Sequence, residues 1–258
     1  MKQELVKRIV KVGNSAGVLL PREWYGGEAK IELIKMPIDI EKDILVILKP
    51  YLKDIMGVYL AGSYARGEQR PDSDVDILVV TCNVNKRLKQ GKYNIIMLSQ
   101  EELEKSLKRN ILPVLPMIIE SKPIINDSLA EKYSLTKVNA KNLQRYLEIT
   151  KSSMDICSKF IEECKEEIIS DGLAYSLILH LRSAYIVDCL INRREWPTKG
   201  ILFLIKNIAG SLKSYDGYLR VKNNLSLKSE VPVEEARRLL EYTLIKVEEH
   251  KKWAQKRK

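Results

Sequence analysis

Apolar and polar positions follow three successive patterns along the chain. Residues 1–36 contain short apolar stretches separated by glycine-containing turns, which predicts short strands and turns. Residues 37–130 combine helical spacing with compact β-branched runs, which predicts a small sheet layer with helices. Residues 131–258 keep helical spacing throughout, which predicts an antiparallel bundle of four main helices. We therefore expect an α/β (α+β) core, preceded by a small all-β module and followed by a helical bundle.

Individual elements are predicted from this spacing together with turn and capping residues. In the first segment they are strands over 4–12, 18–21 and 30–34, with turns over 13–17 and 22–24. In the second they are a helix over 38–54, strands over 57–61, 75–81, 92–98 and 122–125, and a helix capped by Ser99. The buried side of the helix over 38–54 is expected to carry Ile40, Ile44, Leu45, Ile47, Leu48 and Leu52. In the third they are helices over 139–168, 170–192, 198–210 and 232–254, with Thr198 as the cap of the third.

The composition is typical of an intracellular globular protein. Of 258 residues, 45% are hydrophobic and 30% are charged. No run of eighteen apolar residues occurs, and the first residues lack an apolar signal core, so we expect a cytoplasmic protein without a membrane segment. The four cysteines show no paired spacing, which favours free thiols, and two distant histidines make a histidine-based zinc site improbable. The net charge of +10 fits either an anionic partner such as nucleic acid or a lysine-rich solvated surface.

The strongest chemical signal lies where two predicted strands meet polar turns. A buried strand ends at Gly62-Ser63, and this small-residue turn leads into a short helix whose backbone N–H groups can hold phosphate. Asp74 and Asp76 are two residues apart on the next strand, so their side chains point to the same side, about 7 Å apart along the chain. Two carboxylates there suit Mg²⁺, which takes its other ligands from water and a nucleotide's phosphates. In-line nucleotidyl transfer requires this combination.

The strings GSYARG, beginning at Gly62, and SDVDI, beginning at Ser73, resemble the nucleotidyltransferase superfamily of DNA polymerase β. The minimal branch of that superfamily has the pattern GSxARG…SDxDL. The resemblance implies a nucleotidyltransferase core with a two-ion Mg²⁺ site and a nucleoside triphosphate as substrate. It assigns nucleotide binding to Gly62, Ser63, Arg66 and Ser73, and metal binding and catalysis to Asp74 and Asp76. Two roles stay open for Arg66: it neutralises developing charge, or it is a surface helix residue.

Enzymes of this superfamily usually carry a third carboxylate on the later strand, close to the aspartate pair. The strand predicted over 92–98 contains no acid, and we expect Asn94 at that position. An amide can accept a hydrogen bond or ligate through its carbonyl, but it is no base and carries no charge. Glu101, Glu102 and Glu104 follow on the next helix, where the helix dipole favours acids. Asn94 is therefore the third candidate catalytic residue.

The string KVGNSAGVLLPREW resembles the AbrB/SpoVT-type swapped-hairpin module, whose hallmark is GNSxGVxLP. About forty residues cannot bury an adequate core alone, and in that family two copies interleave their hairpins. With one copy in this chain, the resemblance implies a homodimer. Lys7, Arg8, Lys11 and Arg22 would be available to the phosphates of DNA, and a dimerisation module without DNA affinity is the alternative.

The third segment looks like a HEPN-type or substrate-binding helical bundle. HEPN ribonucleases use an arginine followed by a histidine after four to six residues, and Arg193 and Arg194 have no histidine at that spacing. A bundle that is structural or binds the acceptor is therefore favoured over a nuclease.

Two functions follow from these segments. In the first, the protein transfers a nucleoside monophosphate from a Mg²⁺-bound nucleoside triphosphate to an acceptor, which is a protein side chain, RNA or a small molecule. In the second, a catalytically weak, dimeric DNA-binding or antitoxin-type regulator retains a nucleotide-binding nucleotidyltransferase scaffold. The intact Gly-Ser turn and aspartate pair favour the first function, and the missing third acid favours the second.

Overall fold

The computed structural model describes residues 4–32, 38–71, 73–225 and 228–257. The chain divides into two compact units, Met1–Ile47 and Leu48–Lys258. The predicted boundary between residues 36 and 37 lies outside the described residues, and the three-domain division stays a prediction.

The first unit contains a small β-hairpin. Strands β1 (Val10–Val12) and β2 (Ser15–Gly17) pair antiparallel, with Val12 opposite Ser15. The turn is therefore Gly13-Asn14 alone, and the prediction of a turn over 13–17 was wrong because its last three residues form β2. A 3-10 turn follows at Arg22–Trp24, as predicted. Of the strand predicted over 30–34, residues 30–32 are not in a strand and residues 33–34 lie outside the described residues.

Helix α1 (Ile40–Leu48) begins in the first unit and ends at the first residue of the second. A 3-10 segment, Lys49–Asp54, follows it, where a single helix to residue 54 was predicted. Pro50 lies in its first turn and lacks the N–H that an α-helix needs. Of the residues expected on the buried side, Ile44 and Leu48 are fully buried, whereas Leu45 and Leu52 are 44% and 49% exposed.

A five-stranded sheet forms the centre of the second unit, in the order β5-β6-β4-β3-β7. Its strands are β3 (Ile55–Ala61), β4 (Val75–Thr81), β5 (Lys86–Gln90), β6 (Tyr93–Ser99) and β7 (Lys122–Ile125). Strands β4 and β6 are parallel, and the other pairs are antiparallel. Strand β7 is at one edge of the sheet. Strand β5 was not predicted, because its polar residues show no apolar alternation.

Helices connect the strands and then build the C-terminal bundle. Those next to the sheet are α2 (Gly62–Arg66), α3 (Gln100–Arg109), α4 (Val114–Ile119) and α5 (Asp127–Ser134). The bundle helices are α6 (Ala140–Glu163), α7 (Asp171–Ile191), α8 (Thr198–Ala209), α9 (Lys213–Lys222) and α10 (Val233–Gln255). A two-stranded ribbon also pairs β8 (Ile168–Ile169) with β9 (Val231–Pro232). Helix α9 was missed by the four-helix prediction.

The fold class predicted from the sequence is confirmed. Helix α3 packs on strand β6 and helix α6, and α6 packs on α7 and α10. Side chains from the sheet and the bundle share one core, which includes Leu78, Leu103, Leu143 and Val187. Sheet and bundle are therefore held as one compact unit.

Helix α7 is the one helix among the described residues that is long and apolar enough to cross a membrane by length and composition. Its side chains Leu177, Leu181 and Val187 are each at most 1% exposed and belong to the protein core. Burial of this kind is typical of the central helix of a globular bundle.

Candidate active site

The Gly62 turn places backbone directly against a carboxylate. Strand β3 ends at Ala61, which pairs with Asp76 on β4. Gly62 follows with a φ of +68°, a conformation that residues with a side chain rarely adopt. A Cβ added there would lie 2.5 Å from Asp76 Oδ2. Glycine is therefore required both by the backbone and by the close approach of Asp76.

The two aspartates lie at the start of β4. Asp74 precedes the strand, and Lys222 Nζ on helix α9 lies 3.7 Å from its Oδ2. Asp76 is more deeply placed, and burial raises the pKa of its carboxyl above the ordinary value. The charge of Asp74 raises that pKa further, while the hydrogen bond from Asn94 and the charges of Lys222 and Arg182 lower it. The protein holds Asp76 at an energetic cost that a bound cation would relieve.

Asn94 lies directly beside Asp76. Parallel pairing of β4 and β6 sets Asp76 opposite Asn94, so the two side chains share one face of the sheet. Asn94 Nδ2 donates a hydrogen bond to Asp76 Oδ1 at 3.4 Å. Asn94 therefore lies next to the aspartate pair, as predicted.

Arg66 is held by two carboxylates and is no surface residue. Its side chain is 15% exposed, its Nε donates to Glu68 Oε2 at 2.9 Å, and its Nη1 pairs with Glu120 Oε2. Burial lowers the pKa of Arg66, but the hydrogen bonds and charges of these two glutamates outweigh burial and raise it. The surface role considered for Arg66 was wrong, and its charge is already balanced by the protein.

The two glutamates tie this turn to the bundle. Glu120 Oε1 accepts from the Gly62 N–H at 2.8 Å, and its Oε2 accepts from Trp196 Nε1 at 2.8 Å. Glu68 accepts from both the backbone N–H and the hydroxyl of Thr198, the first residue of α8. Thr198 was predicted to cap α8, which was wrong: Pro197 is the N-cap, and the Thr198 hydroxyl binds Glu68 instead.

A narrow cleft of about 130 Å³ brings most of the predicted site residues together. The predicted residues that line it are Gly62, Ser63, Arg66, Ser73, Asp74 and Asp76. Asn94 contacts the site through its hydrogen bond to Asp76. The Ser73 hydroxyl accepts a hydrogen bond from the Arg70 N–H at 2.8 Å, so it stabilises the turn that leads into Asp74.

The opposite wall of the cleft comes from the bundle. Arg182 of α7 and Lys222 of α9 contribute positive charge, and Tyr215 and Tyr218 of α9 contribute aromatic surface. The Tyr218 ring stacks on Tyr215 and on Tyr175, with centroids 5.7 Å and 5.2 Å apart. No motif in the sequence marks these residues, because they come from helices far from the Gly-Ser turn.

The donor set fits Mg²⁺ in part. No group of three or more histidine, cysteine, aspartate or glutamate side chains with metal-binding geometry occurs in the part of the chain that the structure describes. Mg²⁺ is, however, commonly held by one or two carboxylates, with water and substrate phosphates completing its shell. Asp74 and Asp76 provide those carboxylates. A bound cation would lower the raised pKa of the Asp76 carboxyl.

Residues 41–135 match the family described as nucleotidyltransferase domain. This range contains the Gly62 turn, both aspartates and Asn94. It also contains Glu120, whose carboxylate holds the Gly62 N–H. No curated protein sequence matches the chain.

Two solved structures are similar to the chain at low identity. One is a spectinomycin adenyltransferase from Enterococcus faecialis, solved with ATP and spectinomycin. Its sequence is 15% identical and the TM-score is 0.41; the match covers 80% of this chain and 97% of that chain. The other is a nucleotidyltransferase-like protein from Exiguobacterium sibiricum; it is 14% identical, with a TM-score of 0.32, over 81% of this chain and 75% of that one. Neither assigns a residue of this chain.

Proposed function

We propose that this protein transfers a nucleoside monophosphate from a nucleoside triphosphate to an acceptor bound at the cleft. The observation that carries the proposal is the contact of the Gly62 turn with Asp76, inside a segment that matches a nucleotidyltransferase domain. Asp74 lies at the same strand end, so two carboxylates and a small-residue turn meet at one place. The cations Arg182 and Lys222 face them across the cleft.

Asp74 and Asp76 would hold Mg²⁺, as a two-ion site with the nucleotide's phosphates. When bound, the metal neutralises charge on the phosphates and stabilises the attacking and leaving oxygens. Gly62 and Ser63 are proposed to lie against the β- and γ-phosphates, with Gly62 giving the close backbone approach that a side chain would block. Lys222 is proposed to leave Asp74 and to pair with a phosphate once the metal takes its place.

Entry of the nucleotide requires the cleft to open. Its volume of about 130 Å³ is smaller than the roughly 300 Å³ at which ligand pockets usually begin. The contact between Lys222 and Asp74 spans 3.7 Å and is partly exposed, with 41% and 29% of the two side chains accessible. Such a pair is weak, so it can break at little cost. We propose that helix α9 moves away from Asp74 when the triphosphate binds.

In the proposed reaction, a hydroxyl oxygen of the acceptor attacks the α-phosphorus. The bond from that phosphorus to the bridging oxygen of the β-phosphate breaks, and pyrophosphate leaves. The hydroxyl proton passes to solvent water, because the Asn94 amide cannot take it. Transfer by this chain is therefore expected to be slower than by a variant with a carboxylate at residue 94. The acceptor is a protein side chain, RNA or a small molecule, held by the bundle wall.

The test is transfer of label from nucleotides. The full chain is incubated with each α-labelled nucleoside triphosphate, Mg²⁺ and an extract of its own cells. We expect label on a macromolecule or small molecule in excess of that produced by the extract alone, no such excess from the matching γ-labelled nucleotide, and none with an Asp76→Asn variant. An Asp155→Asn variant is the matched control, since Asp155 is an exposed acid on α6. Equal labelling by wild type and Asp76→Asn would contradict the proposal.

A second candidate function is a dimeric regulator that binds nucleotide but turns it over poorly. The observations that favour it are the amide at Asn94 and the N-terminal hairpin, whose Val10 and Val12 are 38% and 53% exposed. In this case the paired hairpins would bind DNA through Lys7, Arg8, Lys11 and Arg22. Binding to duplex DNA would support this candidate if the logarithm of the binding constant falls linearly with the logarithm of salt concentration. Absence of DNA binding at low salt would leave the hairpin as a dimerisation module.

A further inference from the structure

The second unit has another concave surface, formed by other elements than those that line the aspartate cleft. It is a groove of about 850 Å³ between strands β5 and β6 and the helices α3, α4 and α6. It is much larger than the aspartate cleft, yet it contains none of the predicted site residues. Nothing in the proposed transfer reaction uses it.

Strand β5 forms one side of the groove and is the end strand of the sheet. It pairs with β6 on one side, and within the described part of the chain no strand pairs with its other side. Four of its five residues are exposed, and Leu88 is half-buried. An exposed end strand presents a row of backbone N–H and C=O groups that another extended segment can pair with.

The floor and the rim of the groove differ in chemistry. Ile96, Leu98 and Leu112 contribute apolar surface, together with Val114. The charged residues of the lining are Lys86, Arg87, Arg109 and Arg145, and no acidic or aromatic side chain lines the groove among the described residues. An apolar floor under a wholly cationic rim suits a ligand with aliphatic and anionic groups.

These cations are available to a partner. Arg109 pairs with Glu102 at 3.0 Å and Arg145 with Glu148 at 4.0 Å, but 65% and 63% of the two arginine side chains are exposed. Exposed pairs of this kind contribute little and exchange readily. Arg87 is exposed, and within the described residues it makes no ion pair. The rim can therefore rearrange toward an anionic ligand at small cost.

Sheet register relates the groove to the active site. Arg87 lies opposite Ile96, which is two residues along β6 from Asn94. Asn94 and Ile96 share a face of the sheet, so the groove begins about 7 Å along β6 from the residue that contacts Asp76. A ligand in the groove thus lies on the same face of the sheet as Asp76.

We propose that the groove binds an acidic, extended segment of a partner protein, which adds to the sheet beside β5. Backbone pairing with β5 would give affinity, aliphatic side chains would enter the groove, and carboxylates would meet the arginines. Single-stranded nucleic acid is the less favoured ligand, because such sites usually stack bases on aromatic side chains and this lining has none. The proposal does not depend on the chain being a transferase.

The test uses the full chain and a phage-displayed library of random twelve-residue peptides. We expect selection of sequences in which Asp or Glu alternates with Val, Ile or Leu. Synthetic peptides from that pool should bind an Arg87→Glu, Arg109→Glu variant at least tenfold more weakly than wild type. A Lys159→Glu, Lys165→Glu variant makes the same change of charge at two exposed residues outside the groove and should bind within twofold of wild type.

Backbone pairing is tested by N-methylation of the selected peptide. Methylation of one alternating set of amides should abolish binding, and methylation of the other set should leave it intact. The proposal is overturned if no acidic pattern is selected, or if selected peptides bind the Arg87, Arg109 variant as well as wild type. It is also overturned in favour of nucleic acid if a twelve-residue oligouridylate binds, loses affinity in that variant, and no acidic peptide is selected.

Discussion

The guanidinium of Arg66 is paired with the carboxylate of Glu120, which lies 54 residues further along the chain. The same carboxylate accepts hydrogen bonds from the Gly62 N–H and from Trp196 Nε1. Only 10% of the Glu120 side chain is exposed. One half-buried acid therefore fixes the turn beside Asp76, the arginine of the GSYARG string and the loop that precedes α8.

Glu120→Gln is expected to lower the free energy of unfolding by about 2 kcal/mol, because it leaves a half-buried arginine with one carboxylate in place of two. For a protein of this size, each kcal/mol corresponds to roughly 2–4 °C in Tm. Thermal unfolding measures the change. Glu101→Gln is the control, because Glu101 pairs with Lys105 on the surface, and its Tm should equal that of wild type. Equal Tm values for Glu120→Gln and wild type would contradict a stabilising role for Glu120.

Stability should fall at acid pH through Glu68. Burial raises the pKa of Glu68, but hydrogen bonds from Arg66 and Thr198 outweigh it, so the folded-state pKa lies below the ordinary value of 4.5. A carboxyl with a lowered folded pKa stabilises the protein above its unfolded pKa, and that contribution is lost as pH falls from 4.5 through the folded pKa. Glu68→Gln should be less stable than wild type at neutral pH, and the difference should shrink below pH 4.5. Urea unfolding across pH measures this, and a difference that is constant with pH would contradict it.

The Gly62 turn and the aspartate pair could be predicted from local spacing, whereas the position of Asn94 was implied by the resemblance to the nucleotidyltransferase superfamily. Local spacing on strands sets which side chains share a face, and the parallel register of β4 and β6 then brings Asn94 to Asp76. The short strand β5 was missed because its residues are mostly polar and do not alternate with apolar residues, so no pattern indicates a strand.

The partners of Arg66 and Asp74 could not be predicted. Glu120 and Lys222 are reached only after the chain has folded back, and no local pattern distinguishes them from surface charges. The role of Thr198 could not be predicted from local sequence either, since a threonine at the start of a helix is usually its N-cap. Its hydroxyl instead binds Glu68, because the bundle packs against the turn at Gly62. These contacts are long-range, so they depend on the arrangement of elements rather than on spacing.

Asn94→Asp should strengthen metal binding. The new carboxylate would lie where the Asn94 amide now donates to Asp76 at 3.4 Å, so without metal it would repel Asp76 and lower the Tm. With Mg²⁺ and nucleotide the added charge should be favourable, and the carboxylate can also serve as a base. We expect a lower Tm without metal, a larger rise in Tm with Mg²⁺ than in wild type, and faster label transfer. A variant with unchanged metal affinity and unchanged transfer would show that residue 94 is not the third-carboxylate position.

The N-terminal segment should hold two copies of the chain together. No residue from 4 to 32 is buried, and Val6, Leu19 and Ile31 are 78%, 71% and 69% exposed. Apolar side chains left uncovered in one chain favour pairing with a second copy. Light scattering at micromolar concentration should give the mass of a dimer for the full chain and of a monomer after removal of residues 1–36. A monomeric full chain would contradict this prediction.

The central claim is that Asp74 and Asp76 are required for metal-dependent binding of a nucleoside triphosphate. Calorimetry tests it directly. The full chain is titrated with non-hydrolysable analogues of all four nucleoside triphosphates, with Mg²⁺ or with a chelator. We predict that at least one analogue binds only with Mg²⁺, that Asp74→Asn and Asp76→Asn each bind it at least tenfold more weakly while remaining folded, and that Asp155→Asn binds it like wild type. Equal affinity of wild type and both aspartate variants, or equal affinity with and without Mg²⁺, would contradict the account.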